Sequence, residues 1–166
     1  MRKMVEYNAP KRDYEFLLNE VLDAIPIVQK LGYSEFDEEF LSMLTDGWAE
    51  HVKEVWLPVN QLGDREGLTY SDGEIMMPDE FKNAYKESVD AGWLSTSCKP
   101  EHGGMGVPIF FQTVIWAEFG TSANMALSVL PALSVGVYEV LAEHGEKELV
   151  DYFATNMASG KWSGTM

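Results

Sequence analysis

Cysteine is scarce in this sequence, which contains one residue, Cys98, among 166. A single thiol excludes a disulfide framework and a cysteine-based zinc site within the chain. The histidines, His51, His102 and His144, lie far apart and lack the spacing of metal ligands. The basic first residues are not followed by the apolar segment of a secretory signal. These features predict a cytoplasmic protein without a metal site.

Positive charge is also in short supply, with 12 Lys and Arg against 27 Asp and Glu and a net charge of −15. Phosphate contacts require clustered basic side chains, so nucleic acid is excluded as a partner. No stretch approaches the roughly 18 to 20 uninterrupted apolar residues of a membrane span. The length and a hydrophobic content of 46% suit one soluble domain with a single core.

Apolar residues recur at helical spacing in several segments. The first covers residues 14–25, and we expect it to break at Pro26. The second covers residues 40–56, with Asp37 as its N-cap and Pro58 as its expected end. This pattern predicts an all-α fold, an orthogonal or up-down helical bundle.

The remaining segments alternate between helix and loop. Residues 59–78 have no helical period and contain three glycines, which predicts a long ordered loop that includes a short hairpin. Helical periodicity returns in residues 79–92, 108–120 and 149–157.

The stretch His102-Gly103-Gly104-Met105-Gly106 separates two of these helices. It matches neither the Walker spacing nor the dinucleotide-binding fingerprint. We therefore favour a sharp turn between packed helices, for which glycine supplies positive φ angles and close approach.

Small side chains dominate residues 121–144, and Pro131 predicts a kink there, with a new helix from Leu133. The smallest volume lies between Ser128 and Gly136. Close helix packing explains such a segment, and so does a slot for a slender apolar ligand. The residues alone leave both explanations open.

In this order the segments resemble the N-terminal helical domain of the acyl-CoA dehydrogenases. The matching positions are Gly92-Trp93, Pro100, Gly103, Gly104, Gly106, Glu118 and His144-Gly145. The opening EYNAPKRDYEFLLNEVL further resembles the branch that acts on methylmercaptopropionyl-CoA and similar substrates. The resemblance covers nearly the whole chain.

The resemblance implies a helical domain at residues 1–160 and the start of a β-domain at residues 161–166. Family members continue with that β-domain and a C-terminal bundle, so we expect a truncated chain that carries no catalytic residue. The implied reaction is α,β-desaturation of an acyl-CoA, in which a glutamate removes the α-proton and FAD accepts a hydride. An electron-transfer flavoprotein as acceptor and a homo-oligomeric assembly are also implied.

The resemblance further assigns residue roles. The family's acyl-lining positions fall on Ser128, Val129, Ala132, Val135 and Gly136, and the flavin-contacting position falls on Met166. The net negative charge leaves the phosphates of coenzyme A to other domains. Two alternatives stay open, a free-standing helical interaction module without activity and an acyl-CoA oxidase of the same fold.

Overall fold

The computed structural model describes residues 6–165, apart from the side chain of Leu130. Helices account for most of this part of the chain, and a single small hairpin is the β-structure within it. The all-α prediction is confirmed.

The elements follow one another with short connections. Helices α1 to α8 span Lys11–Glu15, Ala24–Lys30, Glu38–His51, Leu57–Glu66, Asp79–Asp90, Ala117–Ala123, Met125–His144 and Lys147–Ala158. Three π-helical stretches extend α1, join α3 to α4 and precede α6: Phe16–Val21, Val52–Trp56 and Phe111–Trp116. Two 3₁₀ turns span Trp93–Ser95 and Pro100–His102, and strands β1 and β2 span Thr69–Ser71 and Glu74–Met76.

Helix α3 begins as predicted, because the Asp37 carboxylate accepts a hydrogen bond from the Phe40 amide at 2.8 Å. The predicted break at Pro26 is wrong by three residues. The chain turns at Asp23, which has a left-handed φ of 47°, and Pro26 lies in the first turn of α2. A first-turn amide has no partner within the helix, so proline costs little there.

Pro58 likewise fails to end a helix, because it lies in the first turn of α4. The helical path therefore continues to Glu66, and residues 59–66, predicted as loop, are helical. The predicted hairpin follows, with Thr69 opposite Met76 and Ser71 opposite Glu74.

Pro131 lies inside α7, which is one helix from Met125 to His144, so the predicted start of a new helix at Leu133 is wrong. Proline in a helix interior costs about 3 kcal/mol. Leu127, Val135 and Tyr138, on either side of it, are all buried against the rest of the domain. This tertiary packing holds the two halves of α7 in one helix.

Three fully buried tryptophans form the centre of the core. The rings of Trp48 and Trp116 stack with centroids 5.0 Å apart and an interplanar angle of 8°. Trp56 stands nearly perpendicular to both, at 83° and 89°. The Trp48 indole N–H donates to the Trp116 carbonyl at 3.0 Å. Such geometry adds to the hydrophobic stabilisation from aromatic burial.

His51 is half-buried against Trp48 and bonded to α5. Its Nε2 lies 2.7 Å from the Ser88 hydroxyl oxygen. That hydroxyl donates to the Ala84 carbonyl at 2.9 Å and accepts from the Trp56 indole N–H at 2.7 Å. Because a hydroxyl has one proton and Ala84 receives it, Nε2 of His51 must be the donor.

The His51 contact predicts a pH-dependent stability. Burial lowers the pKa of His51 from 6.5 to about 4. Between these values the unfolded chain binds more protons than the folded protein, so the free energy of unfolding rises with pH. The part of the free energy of unfolding that depends on a neutral His51 is fully present above pH 6.5, and it is lost as the pH falls toward 4. Denaturant unfolding at several pH values between 4 and 6.5 measures this change in the free energy of unfolding.

His51→Asn removes the titrating ring, and we expect it to flatten the rise between pH 4 and 6.5. His144→Asn, at an exposed position in the last turn of α7, is the matched control. An unchanged slope in His51→Asn contradicts the assignment.

Candidate functional site

The glycine loop, residues 98–106, is a tight turn between helices. Gly103 and Gly106 have φ angles of 92° and 66°, which favour glycine. A Cβ at Gly104 would overlap the carbonyl of Cys98. The prediction of a sharp turn is confirmed.

The backbone amides of the glycine loop are used inside the protein. The N–H groups of Gly103, Gly104, Met105 and Gly106 donate to the carbonyls of Pro100, Lys99, Ser95 and Cys98 at 2.9, 3.1, 3.3 and 2.8 Å. A phosphate cradle needs free N–H groups that point at the ligand. These four amides therefore serve a structural turn and do not form a phosphate cradle.

Tyr138 of α7 anchors this loop. The side chain is 2% exposed, and its hydroxyl accepts a hydrogen bond from the Lys99 amide at 2.8 Å. Nδ1 of His102 lies 2.7 Å from the same oxygen. Burial is the main cause that raises the pKa of Tyr138 to about 12, so the phenol stays neutral. One hydroxyl thus connects the loop to α7.

Cys98 is buried beside Tyr138 in a small cluster that includes Ala154 and Ala158 of α8. Burial raises the pKa of the Cys98 thiol to about 12. A thiol that stays protonated is a poor nucleophile. Cys98 is therefore a packing residue.

The histidines occupy three separate environments. His51 bonds to Ser88, His102 bonds to Tyr138, and His144 is exposed at the end of α7. Within residues 6–165, no three side chains of His, Cys, Asp or Glu come together in a group able to hold a metal ion.

The predicted acyl-lining residues fall on two faces of α7. Ser128 and Val135 are buried toward the domain, at 2% and 9% exposure. Val129 and Ala132 are exposed, and Gly136 is half-buried. Met166, the predicted flavin contact, lies outside the described residues.

The exposed members belong to a longer apolar stripe, which we define as Met125, Val129, Ala132, Gly136 and Val140. Steps of three and four residues place them on one face of α7, over roughly 22 Å. The end residues, Met125 and Val140, are 62% and 61% exposed, and the smallest side chains lie in the middle. The surface of the stripe is therefore lower in the middle than at its ends and forms a shallow trough, which suits a slender apolar chain.

Sequence reasoning missed Met125 and Val140 because it considered only the small-residue segment. The signal was available, since both continue the helical spacing of Val129 and Gly136 by steps of four.

Ser128 joins α7 to the neighbouring helix α6. Its hydroxyl donates to the Asn124 carbonyl at 3.0 Å, and a Cβ at Gly120 would lie 3.2 Å from its oxygen. Close helix packing therefore accounts for the small size of Ser128. Close packing explains the inner face of α7 at this point, and the hypothesis of a ligand slot concerns the outer face.

Among the described residues, α7 is also the one helix with the length and apolar composition of a membrane span. Its mean hydropathy reaches 1.7 over 18 residues, of which 24% are buried. A single helix of this kind is a weak indication, because helices inside soluble proteins share these properties.

Comparison with known proteins gives a consistent result. The family model described as "Acyl-CoA dehydrogenase, N-terminal domain" matches residues 42–161. The 3-methylmercaptopropionyl-CoA dehydrogenase of Ruegeria pomeroyi is 33% identical over 161 residues, which cover 96% of this chain and 27% of that protein.

Two further relatives are more distant. A butyryl-CoA dehydrogenase of Syntrophomonas wolfei is 28% identical, with 93% of this chain and 26% of that protein covered. The "Broad-specificity linear acyl-CoA dehydrogenase FadE5" of Mycobacterium tuberculosis is 29% identical, with 98% and 26% covered. The chain spans about a quarter of the length of these relatives.

The Tyr138 anchor predicts a measurable loss of stability. Tyr138→Phe keeps the ring but leaves the Lys99 amide without its partner, which should cost about 1–3 kcal/mol in the free energy of unfolding. Tyr152→Phe, at a 60% exposed position on α8, is the control and should stay within about 0.5 kcal/mol of the parent. Equal stability of the two variants in denaturant unfolding would exclude an anchoring role.

Proposed function

The chain belongs to the acyl-CoA dehydrogenase family, and from this premise we propose that it forms part of an enzyme that desaturates an acyl-CoA thioester between Cα and Cβ. The observation that carries the proposal is the apolar stripe on α7, inside the region that the family model matches. The names of the relatives differ in their acyl groups, so we propose acyl-CoA as the substrate class.

In this proposal the apolar stripe is the wall along which the acyl chain lies. Ala132 and Gly136 leave space for the chain, and Val129 and Val140 provide apolar contact. Apolar area removed from water contributes roughly 25 cal/mol per Å² to binding of the chain. The share of this domain in catalysis is to orient the acyl chain and to exclude water from it. Ser128 and Val135 support the wall from the buried side.

The phosphates of coenzyme A are expected to bind elsewhere. The net charge of −15 disfavours anions, and the amides of residues 103–106 are all bonded within the protein. The acyl end of the substrate is the part that fits this domain.

We propose FAD as the cofactor of the whole protein, where it supplies the electron-accepting chemistry of the reaction. The glycine loop does not fit its pyrophosphate, because the amides of residues 103–106 are bonded within the protein and the net charge is negative. We assign no step of the reaction to a flavin contact with these residues. The base that removes the α-proton, and the groups that polarise the thioester carbonyl, are expected outside this chain.

Three properties of the whole protein complete the proposal. An electron-transfer flavoprotein is the proposed acceptor, the assembly is a homo-oligomer, and the location is the cytoplasm. We propose residues 1–160 as the helical domain and residues 161–166 as the beginning of a β-domain.

The visible spectrum of the purified full-length protein tests the reaction. We expect a yellow protein whose absorbance near the flavin band bleaches when an acyl-CoA is added without oxygen. Rapid formation of hydrogen peroxide in air would indicate an oxidase of the same fold. A colourless protein that no acyl-CoA changes would favour a free-standing interaction module.

Ala132→Phe in the full-length protein tests the wall. A phenyl ring in the middle of the stripe should raise KM for long acyl-CoA substrates by roughly ten-fold, because filling the trough removes about 1–3 kcal/mol of chain contact. Short substrates should be affected less.

Ala126→Phe is the matched control, since it places the same ring at an exposed position of α7 outside the stripe. Equal effects of the two variants at every chain length would exclude the stripe as the acyl wall.

A further inference from the structure

The β-hairpin between α4 and α5 has one apolar face and one polar face. Side chains along a strand alternate between the two faces, and the register places Tyr70 opposite Ile75. Leu68 and Met77 lie two positions further out on the same side, and Pro78 keeps the preceding Met77 extended. We define the apolar face as Leu68, Tyr70, Ile75 and Met77. The opposite face carries Thr69, Ser71, Glu74 and Met76.

The hairpin is specified by its own turn. Asp72 and Gly73 have φ angles of 53° and 88°, and a type I′ turn requires positive values at both positions. The twist of this turn matches the twist of the two strands, so the local sequence builds the hairpin. A two-stranded hairpin is nevertheless only marginally stable in water unless its apolar face packs against another surface.

The apolar face is open to solvent in the part of the chain that the structure describes. Leu68, Tyr70, Ile75 and Met77 are 66%, 75%, 68% and 40% exposed. With about 200 Å² for a large side chain, the exposed parts of these four residues amount to roughly 500 Å². A contiguous apolar patch of this size on a soluble protein marks an interaction surface.

The size of the apolar face indicates what kind of contact it makes. A specific complex between two free proteins buries about 800 Å² on each partner, which is more than this face offers. Two domains of one polypeptide need less area, because their covalent connection keeps the two surfaces at a high local concentration. The present chain covers 27% of its Ruegeria pomeroyi relative, so a full-length protein of that size contains further domains.

The charge around the hairpin indicates the chemistry of the opposite surface. Residues 64–80 carry one basic side chain, Arg65, and six acidic ones: Asp64, Glu66, Asp72, Glu74, Asp79 and Glu80. Lys82 pairs with Asp79 at 3.1 Å and leaves the other five without a neutralising lysine in this segment. Two copies that met through this face would bring their acidic rims together, and such repulsion disfavours self-association. A surface with Lys or Arg around an apolar centre is complementary.

We propose that the apolar face docks on an apolar surface with a basic rim in another domain of the same full-length polypeptide. The face that carries Glu74 and Met76 stays in solvent. This docking goes beyond the proposed reaction and does not depend on it. It gives the hairpin a role, because a hairpin that is marginal alone is stabilised when its apolar face is covered.

Oxidation of two neighbouring methionines in the folded full-length protein tests the docking. Met76 and Met77 lie on opposite faces and are 46% and 40% exposed, so this chain alone predicts similar rates of oxidation. With the apolar face covered, dilute hydrogen peroxide should oxidise Met77 roughly ten-fold more slowly than Met76. Trypsin releases both in one peptide, residues 66–82, and fragment-ion mass spectrometry separates them. In denaturant the two rates should be equal.

Photo-crosslinking identifies the covering surface. Benzoylphenylalanine in place of Ile75 in the full-length protein should crosslink within one polypeptide to a peptide that lies outside these 166 residues and carries Lys or Arg. The same group in place of Thr69, on the polar face, is the control and should give no such product. Mixing ¹⁴N- and ¹⁵N-labelled protein distinguishes a crosslink within one polypeptide from one between two copies.

Charge reversal tests the basic rim. Glu74→Lys should raise the oxidation rate of Met77 roughly three-fold, because it places a positive charge against the basic surface. Glu35→Lys, at an exposed position outside the hairpin, is the matched control and should leave the rate unchanged.

Each opposite result overturns a stated part of the proposal. Equal oxidation of Met76 and Met77 in the folded protein shows that the apolar face is uncovered and overturns the docking. A crosslink between two copies, or one confined to these 166 residues, overturns the assignment to another domain. An unchanged Met77 rate in Glu74→Lys overturns the basic rim. None of these measurements requires activity, so a failure of the proposed reaction leaves them interpretable.

Discussion

The one-sided attachment of α7 is the constraint on which the rest of the arrangement depends. Leu127, Val135 and Tyr138 are buried on its inner side, whereas the apolar stripe on its outer side faces away from the core. Because burial on one side supplies the stability, the outer side is free to keep small and apolar residues in a trough. The glycine loop attaches to this helix through Tyr138 and Gly164 attaches to it through Ser134, so its position determines theirs.

Single hydroxyl groups make the polar connections between these elements. Ser88 connects α5 to His51 and Trp56, Tyr138 connects α7 to the glycine loop, and Ser134 connects α7 to Gly164. Each hydroxyl satisfies a backbone or ring N–H that would be costly to leave unpaired where it lies. Neutral groups make these connections without placing an ionised side chain in the interior, where a charge is far more expensive to bury.

The tryptophan cluster holds the beginning of α7 in place through Asn124. The buried Asn124 accepts from the Leu127 amide as the cap of α7 and donates to the Trp56 carbonyl at 3.1 Å. The start of α7 is thereby fixed to the aromatic core, and Tyr138 fixes its second half. A helix held at both places tolerates Pro131 between them, because packing outweighs the loss of one backbone hydrogen bond.

Periodicity, capping and glycine content were sufficient to predict the helical class, the Asp37 cap, the hairpin and the sharp turn at residues 98–106, because each depends on neighbours in the chain. The order of motifs was sufficient to identify the family. Tertiary structure alone decided that Pro131 lies within a helix, that His51 faces Ser88, and that Gly164 lies against Ser134. These outcomes depend on residues about 30 or more positions apart or on packing that offsets a local penalty, and no local pattern records either.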